Sequence, residues 1–245
     1  MAYKIDVLGT GSSGNCILID DEIIIDVGLG YRTLKDALHT CSAIFITHRH
    51  GDHLNPSALK QLLKKRPAIV QKRLFVNQSC LEHLHNRAPE VAKAIDPASV
   101  INGDHQHISV TGRNGVTYNI ETYPLVHDVE NQGFVIVNDN NERLIHATDT
   151  ETMRYAPGGI YDYLLVEGNW DEEQYAERIA SGDRDEVFRA LRNIRHLSVQ
   201  EFEKFVRLHS HDESIILQLH QSMELGSKSL IGRKDLSYSV DEPVE

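Results

Sequence analysis

The segment Thr47-His48-Arg49-His50-Gly51-Asp52-His53 gathers four imidazole or carboxylate side chains into six residues. It follows the apolar run Ala43-Ile44-Phe45-Ile46, so a strand should end where the histidines begin. Side chains at i and i+2 of an extended segment point the same way, which lets His48 and His50 reach one ion together. Gly51 permits a tight turn, after which Asp52 and His53 come within reach of a second ion. So many donors packed together are costly unless a cation gathers them. Imidazole and carboxylate ligands suit zinc best, with manganese, iron or nickel as alternatives.

The elements that must position this loop are short strands and capped helices. Tyr3–Leu8, Cys16–Ile19 and Ile23–Asp26 read as strands, split by Gly9-Thr-Gly-Ser-Ser-Gly-Asn15 and by Asp20-Asp21-Glu22. Leu34, Ala37 and Leu38 have helical spacing. Asn55 followed by Pro56 marks a helix start, with Leu59, Leu62 and Leu63 as its buried stripe. Leu74–Val76 is a further strand, and Asn102-Gly103-Asp104 a turn. In the second half Val116–Tyr123, Phe134–Val137, Leu144–His146 and Tyr163–Val166 read as strands. Helices follow from about Glu172 to Leu191. Ser198-Val-Gln-Glu201 reads as a capping box before Phe202, Phe205 and Val206, and Ile215–Leu219 as a last strand. Two β-then-α halves predict an α/β fold, two packed β-sheets with helices outside. No Pro- or Ser-rich linker divides them, so residues 1–228 are expected to form a single domain. Residues 229–245 should be a polar tail.

Composition narrows the class. Of 245 residues, 40% are hydrophobic and 25% charged, which excludes a fibre or a disordered chain. The net charge of −11 opposes tracking along extended nucleic acid, though not gripping one end of it. Cys16, Cys41 and Cys80 are scattered and form no CxxC, which argues against a disulfide framework or a thiolate metal site. There is no signal-peptide pattern and no apolar run near the ~20 residues of a membrane span, so the expected location is cytoplasmic, with no membrane partner.

His-x-His-x-Asp-His after an apolar strand resembles the signature of the metallo-β-lactamase superfamily, and the resemblance runs from Val7 to about Ser222. It implies an αββα sandwich. It also implies two divalent ions, zinc first and manganese as the alternative, held by His48, His50, Asp52, His53, His127, Asp149 and His220. Asp149 would bridge the ions, while His146, beside it, faces the other way by strand alternation. Asp26 would support the metal loop without binding metal. Two histidines compete for the last ligand position, His220 at a strand end and His196 before a capped helix. In the phosphodiesterase members that the chain resembles, the strand-end His binds metal and the pre-helix His contacts the scissile phosphate. A helix N-terminus favours anions, which agrees with His196 and Ser198 as substrate-binding residues. The end strand here reads His-Gln-Ser where His-Leu-Ser is usual, and Arg195 stands where Gly is common, so the two roles could be exchanged. Glu167 would set the tautomer of His196.

The expected reaction is metal-dependent hydrolysis of a phosphodiester, with Asp52 and His196 as catalytic residues. Long arms and cap domains have no room in the chain, which suits a small nucleotide or a nucleic-acid end. A cyclic mononucleotide, of the kind that phage enzymes destroy, is the leading substrate. A 5′-end DNA exonuclease is the alternative. Further alternatives are a non-phosphate hydrolase and an inactive metal-stabilised binding protein. A homodimer is expected only from family habit. The remaining histidines, His39, His83, His85, His105, His107, His209 and His211, read as surface or structural. The basic stretch Lys60, Lys64, Lys65, Arg66, Lys72, Arg73 is either a solvated helix face or a phosphate-binding edge near the metal loop.

Overall fold

Strands buried on both faces need near-continuous apolar runs, and the chain supplies them. The computed structural model describes residues 2–220, so the expected tail 229–245 lies outside the described residues. Two compact units form, one from residues 2–101 and 110–116, the other from residues 102–109 and 117–220.

The first unit contains β1 (Ile5–Gly9), β2 (Cys16–Ile19), β3 (Ile23–Ile25), α1 (Tyr31–Thr40), β4 (Ala43–Phe45), α2 (Pro56–Lys65), α3 (Pro67–Lys72), β5 (Leu74–Phe75), α4 (Gln78–Arg87) and α5 (Pro89–Ala94). Its sheet runs β1-β2-β3-β4-β5, antiparallel through β3 and parallel from β3 to β5. Every residue of β2, β3, β4 and β5 is buried. Leu18, Ile24, Ile44 and Leu74 share one core with Leu34, Leu38, Leu59, Leu62 and Leu84 from the helices. Each such side chain contributes about 1.5–3 kcal/mol on burial. The predicted start of α2 is present: Asn55 Oδ1 accepts from Ala58 N at 3.0 Å, and Pro56 opens the first turn. Helices α3, α4 and α5 were not legible as periodic patterns. Two of them span six residues each, too short to show a stripe.

The second unit brings β6 (His107–Thr111), β7 (Thr117–Leu125), β8 (Asn131–Val137), β9 (Arg143–Ala147), β10 (Tyr163–Glu167), α6 (Glu172–Ser181), α7 (Arg184–Asn193), α8 (Val199–His209) and β11 (Ile215–Leu219). Its sheet runs β11-β10-β9-β8-β7-β6, antiparallel from β7 to β9 and parallel from β9 to β11. The helices expected over 172–191 are α6 and α7, divided at Gly182, whose φ of 66° ends α6 in the left-handed region. Helix α8 buries Phe202 and Phe205 against Tyr161, Leu164 and Val166. The predicted capping box is half formed: Ser198 Oγ accepts from Glu201 N at 3.1 Å, but the Glu201 carboxylate pairs with Lys204 instead of turning back.

The fold is α/β with two mixed sheets and helices, as the sequence led us to expect. Both sheets follow one plan, three antiparallel strands whose last member opens a parallel trio. No helix among the described residues is long and apolar enough to cross a membrane. All three cysteines are free and buried.

Candidate metal centre

In parallel strands the carboxyl ends share one edge, and chemistry collects there. In the first unit that edge carries Asp26 after β3, the histidine loop after β4 and Asn77 after β5. Asp26 is buried, with φ at 65°, a backbone region that Asp enters more readily than most residues. Its Oδ1 accepts from Thr47 N at 2.8 Å and from Thr47 Oγ1 at 3.0 Å. Its Oδ2 lies 2.6 Å from His53 Nδ1. That contact places the proton on Nδ1 and turns Nε2 of His53 toward Asp52 Oδ2, 3.7 Å away. His48 Nδ1 lies 3.0 Å from Thr47 Oγ1, and its Nε2 lies 3.1 Å from His50 Nδ1. Two imidazole nitrogens facing each other at that range fit a shared cation. Close packing holds the loop: a Cβ on Gly28 would lie 1.7 Å from the Asp52 carbonyl oxygen.

In the second unit the same edge carries Asp149 after β9, Glu167 at the end of β10 and His220 after β11. Asp149 and His220 also have left-handed backbones, φ 53° and 48°. Strained non-glycine residues of this kind cluster at functional sites. Donor atoms of Asp149, Glu167, His196 and His220 all lie within 4.8 Å of one another. His196 Nδ1 is 3.1 Å from Asp149 Oδ1 and 3.2 Å from Glu167 Oε2. His220 Nε2 is 3.4 Å from Asp149 Oδ1, and the two imidazole rings stack at 4.9 Å. Glu167 Oε1 accepts from Thr150 N and Leu197 N, which fixes the carboxylate. The His127 ring lies 5.8 Å from that of His196, with its Nε2 3.1 Å from Asp128 Oδ1. Two buried carboxylates in one cluster require positive charge nearby, and a divalent ion or an imidazolium supplies it. The all-nitrogen-and-oxygen donor sets of both units fit a zinc- or manganese-type cation.

A profile of the Beta-lactamase superfamily domain family matches residues 22–214. The chain belongs to this family. Two solved structures of similar fold support the architecture of this beta-lactamase superfamily domain. The short form of human tRNase Z (ELAC1) is 17% identical, over 90% of this chain and 93% of that chain, with a TM-score of 0.57. The metallo-beta-lactamase fold protein YhfI from Bacillus subtilis is 14% identical, over 90% of this chain and 87% of that chain, with a TM-score of 0.52. Among curated proteins none matches the sequence.

Sequence reasoning missed two amides in this superfamily domain. Asn15 Nδ2 lies 2.8 Å from His53 Nε2 and 3.2 Å from the Asp52 carbonyl oxygen. Asn169 Nδ2 donates to the His220 carbonyl at 2.7 Å and lies 3.0 Å from its Nδ1. The turn Gly-Ser-Ser-Gly-Asn15 was a visible signal, but nothing in it pointed to His53. Ser198 is buried; its Oγ donates to Glu172 at 2.6 Å and accepts from Glu201 N, which caps α8. Part of the basic stretch lies away from the metal loop. Lys60 pairs with Glu90 at 3.7 Å. Arg66, Lys72 and Arg73 gather by the amino ends of β4 and β5, the edge opposite the histidine loop.

Burial alone would lower the pKa of His196, but hydrogen bonds to Asp149 and Glu167 outweigh it and raise the value from 6.5 to about 10. A value raised in the folded state stabilises fully below 6.5, and that stabilisation is lost as pH rises through about 10. Metal-depleted protein should therefore lose more thermal stability between neutral pH and that range than His196→Gln does. Equal losses in the two proteins would refute the assignment.

Proposed function

We propose that this protein is a dinuclear metal-dependent phosphodiesterase. The proposed ligands are His48, His50, Asp52, His53, His127, Asp149 and His220. Bound there, divalent ions act as Lewis acids that lower the pKa of water and take up charge on phosphoryl oxygens. The observation that carries the reading is His196, whose Nδ1 faces both Asp149 and Glu167. With Nδ1 engaged, Nε2 remains to donate a proton to the leaving oxygen or to bond a non-bridging phosphate oxygen. In the metal-free protein those two carboxylates raise the pKa of His196 to about 10. Asp52, half-buried beside His53, would orient the attacking water. Asp26 holds His53, and Glu167 holds His196; neither needs to touch substrate. Ser198 serves as the cap that positions His196.

A small nucleotide is the proposed substrate class, with cyclic mononucleotides first. The second reading, cleavage at a nucleic-acid end, draws support from the shared fold with a protein named as a tRNase. The test is elemental analysis of purified protein followed by a panel of cyclic mononucleotides and 5′-labelled DNA and RNA, each with zinc or manganese. Release of linear monophosphates supports the first reading, and shortened strands the second. Protein with stoichiometric metal that leaves every phosphodiester intact would end both.

A further inference from the structure

The amino-terminal edge of the first unit's sheet carries a cleft of about 430 Å³, at the far ends of β4 and β5 from the histidine loop. Ser42, at its wall, precedes His48 by six residues, roughly 20 Å of extended chain. The cleft is therefore separate from the proposed metal ligands of that unit. Its walls carry Arg66, Lys72, Arg73 and Arg113, four cations in a chain of net charge −11.

Little of this charge is neutralised. Arg66 Nη1 donates to the carbonyls of Leu38 and Cys41 at 2.9 and 3.0 Å, which fixes the guanidinium but leaves its charge unpaired by any carboxylate among the described residues. Arg113 Nε is 3.8 Å from Glu22 Oε2, a carboxylate also engaged by Ser42. Lys72 and Arg73 form no ion pair among the described residues. Pro67, Ala68 and Ile69 add an apolar wall beside the cations. A fixed guanidinium, three further cations and an apolar wall, in a volume typical of small-molecule sites, match an anion with an organic part.

We propose that this cleft binds a small phosphorylated organic anion of nucleotide size, its phosphates on Arg66, Lys72, Arg73 and Arg113 and its organic part on Pro67 and Ile69. The site does not depend on the phosphodiesterase reading. A long polyanion fits less well, because the rest of the acidic surface repels it.

The test is calorimetric titration of the metal-loaded protein with ADP, pyrophosphate and adenosine, beside a Lys72→Ala/Arg73→Ala variant. ADP and pyrophosphate should bind and adenosine should not. The double variant should bind ADP roughly 30-fold more weakly, about 2 kcal/mol, with metal content and melting temperature unchanged. If that variant melts early, Lys72→Glu at an exposed position replaces it, with a loss of roughly tenfold expected. Absence of ADP binding, equal affinity in the variant, or adenosine binding as tightly as ADP would each overturn the proposal. So would a single-stranded oligonucleotide that needs the same two cations while ADP does not bind, which would make the cleft a strand groove.

Discussion

Asp149→Asn is expected to reduce phosphodiester hydrolysis by roughly 10³-fold or more, the scale seen when a charge-stabilising group is removed from an active site. The buried carboxylate faces both His196 and His220, as Glu167 does, and Asp149 is the one of the two proposed to bind metal. Asparagine keeps the shape and tolerates a backbone φ of 53°, so the fold should survive. What changes is charge: the cluster keeps Glu167 but loses half of its anionic character. Metal content measured by elemental analysis should fall in step with kcat/KM. A variant that keeps its metal and stays within tenfold of wild-type activity would remove Asp149 from the centre of the site.

Asp26→Ala should destabilise the protein by about 3–5 kcal/mol, the usual cost of removing one partner from a buried charged network. Thr47 N, Thr47 Oγ1 and His53 Nδ1 all lose their acceptor at once, inside a region closed to water. Alanine must also hold a left-handed φ of 65°, which adds roughly 1–2 kcal/mol of strain. Metal affinity should fall by about 10- to 100-fold as His53 loses its orientation. Urea unfolding reads the first effect and chelator competition the second. Asp26→Asn separates them, because asparagine suits the backbone yet offers one accepting oxygen to three donors. A loss below about 1 kcal/mol for the alanine variant would show that Asp26 is a plain turn residue, well under the scale for buried pairs.

Much of this site was readable in the sequence because its signals are local. A histidine loop after an apolar strand, an Asp after three isoleucines and an Asn-Pro helix start each need only a few neighbouring residues to be recognised. The structure places Asp26, Asp149, Glu167 and His220 at strand ends, where those patterns put them. The contacts of Asn15 and Asn169 were illegible, because a single amide has no periodicity and its partners lie 38 and 51 residues away. The phosphate-edge reading of the basic stretch meets a geometric obstacle. Between two parallel strands the chain must return to the edge where it began, which carries Arg66, Lys72 and Arg73 away from His48. Helices α3 and α5 escaped because six residues each are too few to show a stripe.

The common plan of the two sheets sets equivalent residues at equivalent strand ends. Asp26 follows the third strand of one sheet, and Asp149 follows its counterpart in the other, with the same unusual backbone twist. The histidine loop and Glu167 occupy the matching place one strand later. In one unit the acid braces Thr47 and His53; in the other it faces His196 and His220.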